Sequence, residues 1–170
     1  SITGLGDLEE VVNINSTKSI KGVLASEERN VLIIVSDYGV QVGKMHTSGV
    51  KRVHKFNNEI HYMGQFSDLK VFYGTKDKVV IENFNNKNSQ KLEISSLFNA
   101  QKIIKEDIKM NLNTKLGILF ISYCKELVLF DVSEEKILKS LSFEDKIISL
   151  GHGEKYSLVV GFQNNTIRLF

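Results

Sequence analysis

The 170-residue chain has no proline, no tryptophan and one cysteine, Cys124. A single cysteine excludes an internal disulfide and favours a reducing compartment. Strong charge of either sign is also missing. The formal net charge is +2, too small to argue for nucleic acid or an anionic membrane. No apolar run approaches the roughly 18 residues that span a bilayer, and no apolar signal segment opens the chain. Metal-ligand spacing is lacking as well. His46, His54, His61 and His152 form no HExxH motif and no i, i+4 pair, and there is no CxxC. The glycines of "GLGDLEE" (4–10) have no preceding strand to make a phosphate loop. Cys124 has no evident base beside it, as a nucleophile requires. These absences lead us to expect no enzyme, no cofactor and no metal.

What remains is ordinary globular composition, 42% hydrophobic and 25% charged, in a length that suits one domain with a sizeable core. The order in it is a repeat. "NVLIIVSDYGVQVGKM", "LKVFYGTKDKVVIENF", "LGILFISYCKELVLFDV" and "LVVGFQNNTIRLF" each hold an apolar strand, a short polar turn and an alternating strand. The inward pairs of the second strand are Val40 and Val42, Val79 and Ile81, Leu127 and Leu129, Ile167 and Leu169. Their first members are 39, 48 and 40 residues apart (79−40, 127−79, 167−127). A second marker keeps the same beat. Ile20, Ile60, Ile108 and Ile147 lead the shorter pieces before each hairpin, spaced 40, 48 and 39.

A looser and more polar piece follows three of the hairpins: "GVKRVHKF", "SQKLEI" and "EKILKSLSF". Each repeat is therefore four strands, a to d. Strand b is the most apolar, as burial on both faces requires. Strand d is polar, as an outer edge should be. Four-stranded units of about 40 residues are the signature of β-propeller blades. The expected fold is all-β, a propeller of four-stranded antiparallel blades at approximately 18–56, 59–94, 107–142 and 145–170. Ile33, Phe72, Leu119 and Val159 are expected to be buried. The eight extra residues of the third interval fall before Ile108. There Leu97, Ala100, Ile103 and Ile104 suit one face of a short helix, with an irregular loop as the alternative.

These residues resemble the WD40 family and its divergent relatives over about 18–170. "GTKDKVVIENF" (74–84) matches the family's strand b–c segment through Gly74, Thr75, Asp77, Val79 and Ile81. "LVLFD" (127–131) resembles its closing dipeptide with Phe130 in place of Trp, and Phe170 stands likewise in "GFQNNTIRLF". The chain departs from the pattern in two ways. It has no Trp-Asp, and its Gly151-His152 follows strand a instead of preceding it. The resemblance therefore implies a generic propeller without the family's Asp–His hydrogen-bond network. The citron-homology propellers of vesicle-tethering proteins are similarly degenerate.

The fourth repeat lacks strand d. Residues 8–14 alternate through Leu8 and Ile14 and are the candidate closing strand. WD40-like rings usually have seven or eight blades, within the roughly four to eight of propellers at large. Three readings stay open. The chain is part of a larger propeller, or two chains complete a ring, or four blades close on themselves.

The function expected is a non-enzymatic scaffold that holds proteins of a larger intracellular complex, cytoplasmic or nuclear. The alternatives are a vesicle-tethering propeller, or a phosphate-binding one for phosphoinositide or nucleic acid. The last would use the basic rim at 44–55, where Lys44, Lys51, Arg52 and Lys55 lie on the c–d hairpin and strand d of the first repeat. An edge guard against strand pairing explains the same charges.

Overall fold

The computed structural model describes residues 19–26, 28–44, 49–67 and 69–170. They fall in two compact units, Ser1–Asn57 and Asn58–Phe170. The first unit holds blade 1: β1 (Ile20–Ser26), β2 (Val31–Ser36), β3 (Gly39–Lys44) and β4 (Val50–Lys55). The second unit holds three more sheets. Blade 2 is β5 (Tyr62–Ser67), β6 (Lys70–Gly74), β7 (Lys78–Asn83) and β8 (Asn88–Glu93). Blade 3 is β9 (Ile108–Asn113), β10 (Ile118–Tyr123), β11 (Glu126–Asp131) and β12 (Lys136–Ser142). Blade 4 has three strands, β13 (Ile147–Gly151), β14 (Val159–Phe162) and β15 (Ile167–Leu169). Every sheet is antiparallel, with its strands side by side in sequence order. The candidate closing strand, 8–14, lies outside the described residues.

Burial follows the reading of each strand. In β6 and β10, Val71 to Gly74 and Leu119 to Ser122 are buried without interruption. Both faces of strand b are thus covered, which explains why its sequence is apolar throughout. In β12 only Leu141 is even partly covered.

The turns show a regularity that composition hides. Asn30, Leu69 and Gly117 each stand just before strand b with φ of 54°, 57° and 68°. Lys87 and Glu135 stand just before strand d with φ of 58° and 54°. This left-handed backbone lets a short loop re-enter an antiparallel ladder, and glycine is its usual occupant. Only one of the five is glycine. Leu69 pays local strain for the position, and its side chain is buried. Phe84 N–H then donates to Leu69 O, and Val132 N–H to Gly117 O, both at 2.9 Å.

Two cores lie between successive blades of the second unit. Phe72, Val79 and Ile81 of blade 2 pack with Ile108, Leu119, Ile121, Val128 and Phe130 of blade 3. Phe120 and Leu127, on the other face of blade 3, pack with Ile147, Leu158, Val160 and Phe162 of blade 4. Polar links reinforce the first core. Tyr62 O–H donates to Ile108 O (2.5 Å) and Lys70 Nζ to Val132 O (2.8 Å). Gly74 is small for a reason: a Cβ there would lie 2.9 Å from Met110 Sδ.

Of the four leading isoleucines, Ile60, Ile108 and Ile147 are buried and Ile20 is exposed on β1. One burial expectation needs correction. Ile33, Phe72 and Leu119 are buried, whereas Val159 is only half-buried, because its face of blade 4 has no following blade in the second unit. Of the two readings of the segment before Ile108, the irregular loop holds for 98–104: the helix is confined to α1 (Ile94–Leu97), and a 3-10 turn occupies Lys105–Asp107. Between them an irregular loop still delivers Phe98, Ala100 and Ile103 to the core of blades 2 and 3. Burial, not helical periodicity, sets the spacing of these apolar residues.

Candidate interaction surfaces

The rim was the site residue set read from sequence. Its backbone register separates it. Residues directly opposite each other in an antiparallel pair share a face. Val42 pairs with Lys51, Gln41 with Arg52, Val40 with His54 and Gly39 with Lys55, around a bulge at Val53. Lys44 pairs with Val31 and shares the face of Ile33 and Val42. Lys44 and Lys51 therefore share one face of the sheet, while Lys55 stands on the opposite one. Lys44, Lys51 and Lys55 are exposed. The bulge adds one residue and moves the later positions across the sheet.

Sequence reasoning missed a second surface, in the second unit. The a–b loops of blades 3 and 4 frame an open groove of about 800 Å³. Lys115, His152, Glu154, Lys155 and Ser157 line it. Asn113 anchors its floor and is 4% exposed. Its Nδ2 donates to Ser157 O (3.1 Å), and its Oδ1 accepts from Leu116 N–H (3.2 Å). One buried amide thus fixes both loops, each bond worth about 1 kcal/mol net. His152 Nδ1 lies 2.7 Å from Asn111 Oδ1. The oxygen is an acceptor, so Nδ1–H donates and Nε2 is left for another group. The groove offers cationic, anionic and neutral hydrogen-bonding groups close together. The signal was present in Gly151-His152, but its position after strand a hid its use.

A smaller hollow of about 450 Å³ lies between the b–c turn of blade 2 and the segment inserted before blade 3. Lys76, Asp77, Glu93 and Lys102 line it. Thr75 Oγ1 accepts from Asp77 N–H (3.2 Å) and Lys78 N–H (3.3 Å). Asn58 Nδ2 donates to Asp77 Oδ2. Thr75 and Asp77, the residues that resemble the WD40 segment, therefore shape a turn.

Cys124 occupies a left-handed position, φ 53°, in the b–c turn of blade 3. Its Sγ donates to Asp107 Oδ2 at 3.8 Å, and Asp107 also pairs with Lys146. Burial pushes the Cys124 thiol up, and the Asp107 charge adds to this. A thiol held in its neutral form is a poor nucleophile. Bonding to Asp107 also pushes the Lys146 ammonium up. The trio ties two turns together. Among the described residues, no group of three His, Cys, Asp or Glu side chains is placed to hold a metal ion.

The fold has solved counterparts. The computationally designed protein Ika4 superposes with a TM-score of 0.62 at 15% identity, covering 95% of this chain and 97% of that one. The WD40 domain of Neurospora crassa Pan2 gives 0.56 at 13%, covering 90% and 46%. A chain of the S. cerevisiae structure of Dbp5 bound to Nup159 and Gle1 gives 0.59 at 8%, covering 85% and 39%. The chain spans less than half the length of these two natural counterparts. No family model and no curated protein sequence matches. Together with the sheets, these likenesses define an all-β propeller-like fold built of four-stranded blades.

Proposed function

We propose that the chain is a non-enzymatic, WD40-like propeller segment that holds protein partners within a larger intracellular assembly, cytoplasmic or nuclear. The groove between blades 3 and 4 carries this reading. Its framework is rigid, with two apolar cores and a buried amide beneath the loops. Its lining is polar and mixed in charge. Binding residues concentrate on loops held by such scaffolds. The S. cerevisiae counterpart, from a structure of Dbp5 bound to Nup159 and Gle1, supports protein partners by analogy of fold.

The phosphate-binding alternative has less support. The register divides the rim between the two faces of blade 1, with the backbone positions of Lys44 and Lys51 on one and those of Arg52 and Lys55 on the other. Phosphate affinity grows with the number of cations that converge.

Crosslinking with mass spectrometry tests the proposal. Proteins crosslinked to wild type are expected to be lost from Lys115→Glu/Lys155→Glu and retained by Lys44→Glu/Lys51→Glu. Retention of the full set by the loop variant would overturn it.

A further inference from the structure

The groove between the a–b loops of blades 3 and 4 has a chemistry that narrows its partner. Its lining carries two ammonium groups, Lys115 on one loop and Lys155 on the other, and a single carboxylate, Glu154. All three side chains are exposed. Among the described residues, neither lysine is paired with a carboxylate. The groove therefore presents one more cation than anions when His152 is neutral.

Hydrogen bonds hold this lining in place before any partner arrives. Asn113 ties the two loops through Ser157 O and Leu116 N–H. Gly153 N–H donates to Tyr156 O (3.0 Å), closing the blade 4 loop on itself. Asn111, on β9 of blade 3, fixes the His152 ring through Nδ1. A site formed in advance loses little freedom on binding.

The tautomer of His152 separates two kinds of anion. With Nδ1–H committed to Asn111, the neutral imidazole leaves only an acceptor, Nε2. Ionised phosphate offers acceptors alone, so it gains nothing from Nε2 and is repelled by Glu154. An extended peptide brings N–H donors along its backbone, and acidic side chains bring carboxylates to the two lysines. Leu116 also lines the groove, 47% exposed, and adds an apolar contact. At Gly153 the groove is open. A Cβ there would meet nothing within 4 Å, and the backbone is not left-handed. A larger side chain can therefore be placed there without strain.

We propose that this groove binds an extended acidic segment of a protein partner. Its carboxylates meet Lys115 and Lys155, a backbone N–H meets His152 Nε2, and an aliphatic side chain rests on Leu116. The inference rests on the reading of the groove as the partner surface and adds the chemistry of the partner.

Fluorescence anisotropy of the 170-residue chain tests this with three labelled probes: a peptide repeating Glu-Leu-Gly, its Lys-Leu-Gly counterpart and a thymidine oligonucleotide. The acidic peptide should bind roughly tenfold or more tightly than either other probe, and its affinity should fall as salt rises. Lys115→Glu/Lys155→Glu should weaken that binding roughly tenfold or more. Gly153→Phe should weaken it as much by filling the groove. Gly153→Ala should bind close to wild type, which separates blockage from misfolding. Methylating the peptide nitrogens should weaken binding by a larger factor for wild type than for His152→Ala. The proposal is overturned if the acidic peptide does not bind, if the basic peptide or the oligonucleotide binds as tightly, or if the charge-reversed and Gly153→Phe variants bind as wild type does. Protein crosslinks still mapping to Lys115 and Lys155 beside such a result would leave the partner groove standing and remove only its acidic specificity.

Discussion

Blade 3 and blade 4 share a repeat but not a fate. Leu127 and Ile167 occupy equivalent places at the start of strand c. Leu127 is sealed by blade 4, whereas Ile167 is the most exposed of the large hydrophobic side chains described. The same ladder position therefore changes from core to surface according to whether another blade follows. In a repeat protein each unit is stabilised mainly by its neighbours, and energetic weight belongs to the position within the stack as much as to the residue. Local patterning alone does not tell the two apart.

Charge insertion should separate them most widely. Leu127→Asp buries an unpaired carboxylate in the core of blades 3 and 4, at a cost of several kcal/mol against a total stability of roughly 5–15. We expect the fold to be lost, seen as loss of the cooperative transition in urea. Ile167→Asp, with identical chemistry, should leave a folded chain. Equal collapse of both would break the comparison.

Truncation gives the next largest difference. Phe130→Ala empties space in the core of blades 2 and 3 and should cost about 3–5 kcal/mol by urea denaturation. Leu169→Ala at an exposed site should cost less than about 1 kcal/mol for the monomer. Asn113→Ala comes third. It removes both bonds that tie the a–b loops of blades 3 and 4, leaving Ser157 O and Leu116 N–H without that partner. Roughly 1–3 kcal/mol should be lost, and amide exchange at 114–116 and 153–157 should quicken.

High pH acts on blade 2 through a buried tyrosine. Burial, with the Glu82 charge second, pushes the Tyr73 hydroxyl far above the usual tyrosine value near 10. The unfolded chain loses this proton near pH 10, but the folded chain does not. Stability from Tyr73 is therefore complete below pH 10 and declines as pH rises beyond it. The half-buried Tyr62 contributes with the same sign. Urea midpoints measured from pH 9 to about 11 should fall less steeply for Tyr73→Phe than for wild type. The smallest effect belongs to the rim. Exchanging Lys44, Lys51, Arg52 and Lys55 for Glu should shift the stability of blade 1 by no more than about 0.5 kcal/mol per residue, as read by the thermal midpoint.

Much of the fold was legible in the sequence because the repeat is written in burial. Strand b is apolar where both its faces are covered, and the spacing of Val79, Leu127 and Ile167 marks the blades. The turns were less legible. Left-handed backbone at Leu69, Lys87 and Glu135 carries no compositional mark, since glycine fills only Gly117 of that set. The segment before Ile108 stayed ambiguous between helix and loop because apolar residues that plug a core from a loop can imitate helical spacing. For the surfaces, sequence proximity grouped Lys51 with Lys55, but a single bulge at Val53 put them on opposite faces. The groove was invisible for the reverse reason. It joins Asn113 and Ser157 across 44 residues, and no local pattern records such a meeting.

Amide hydrogen exchange on the wild-type protein tests the contrast between the blades most directly. The account predicts the slowest exchange in 119–122 and 127–130, where strands b and c of blade 3 are covered on both faces. Residues 167–169 should exchange orders of magnitude faster, near the low end of local opening free energies. Protection in 167–169 equal to that in 127–130 would contradict it, since strand c of blade 4 would then be as firmly held without a following blade as strand c of blade 3 is with one.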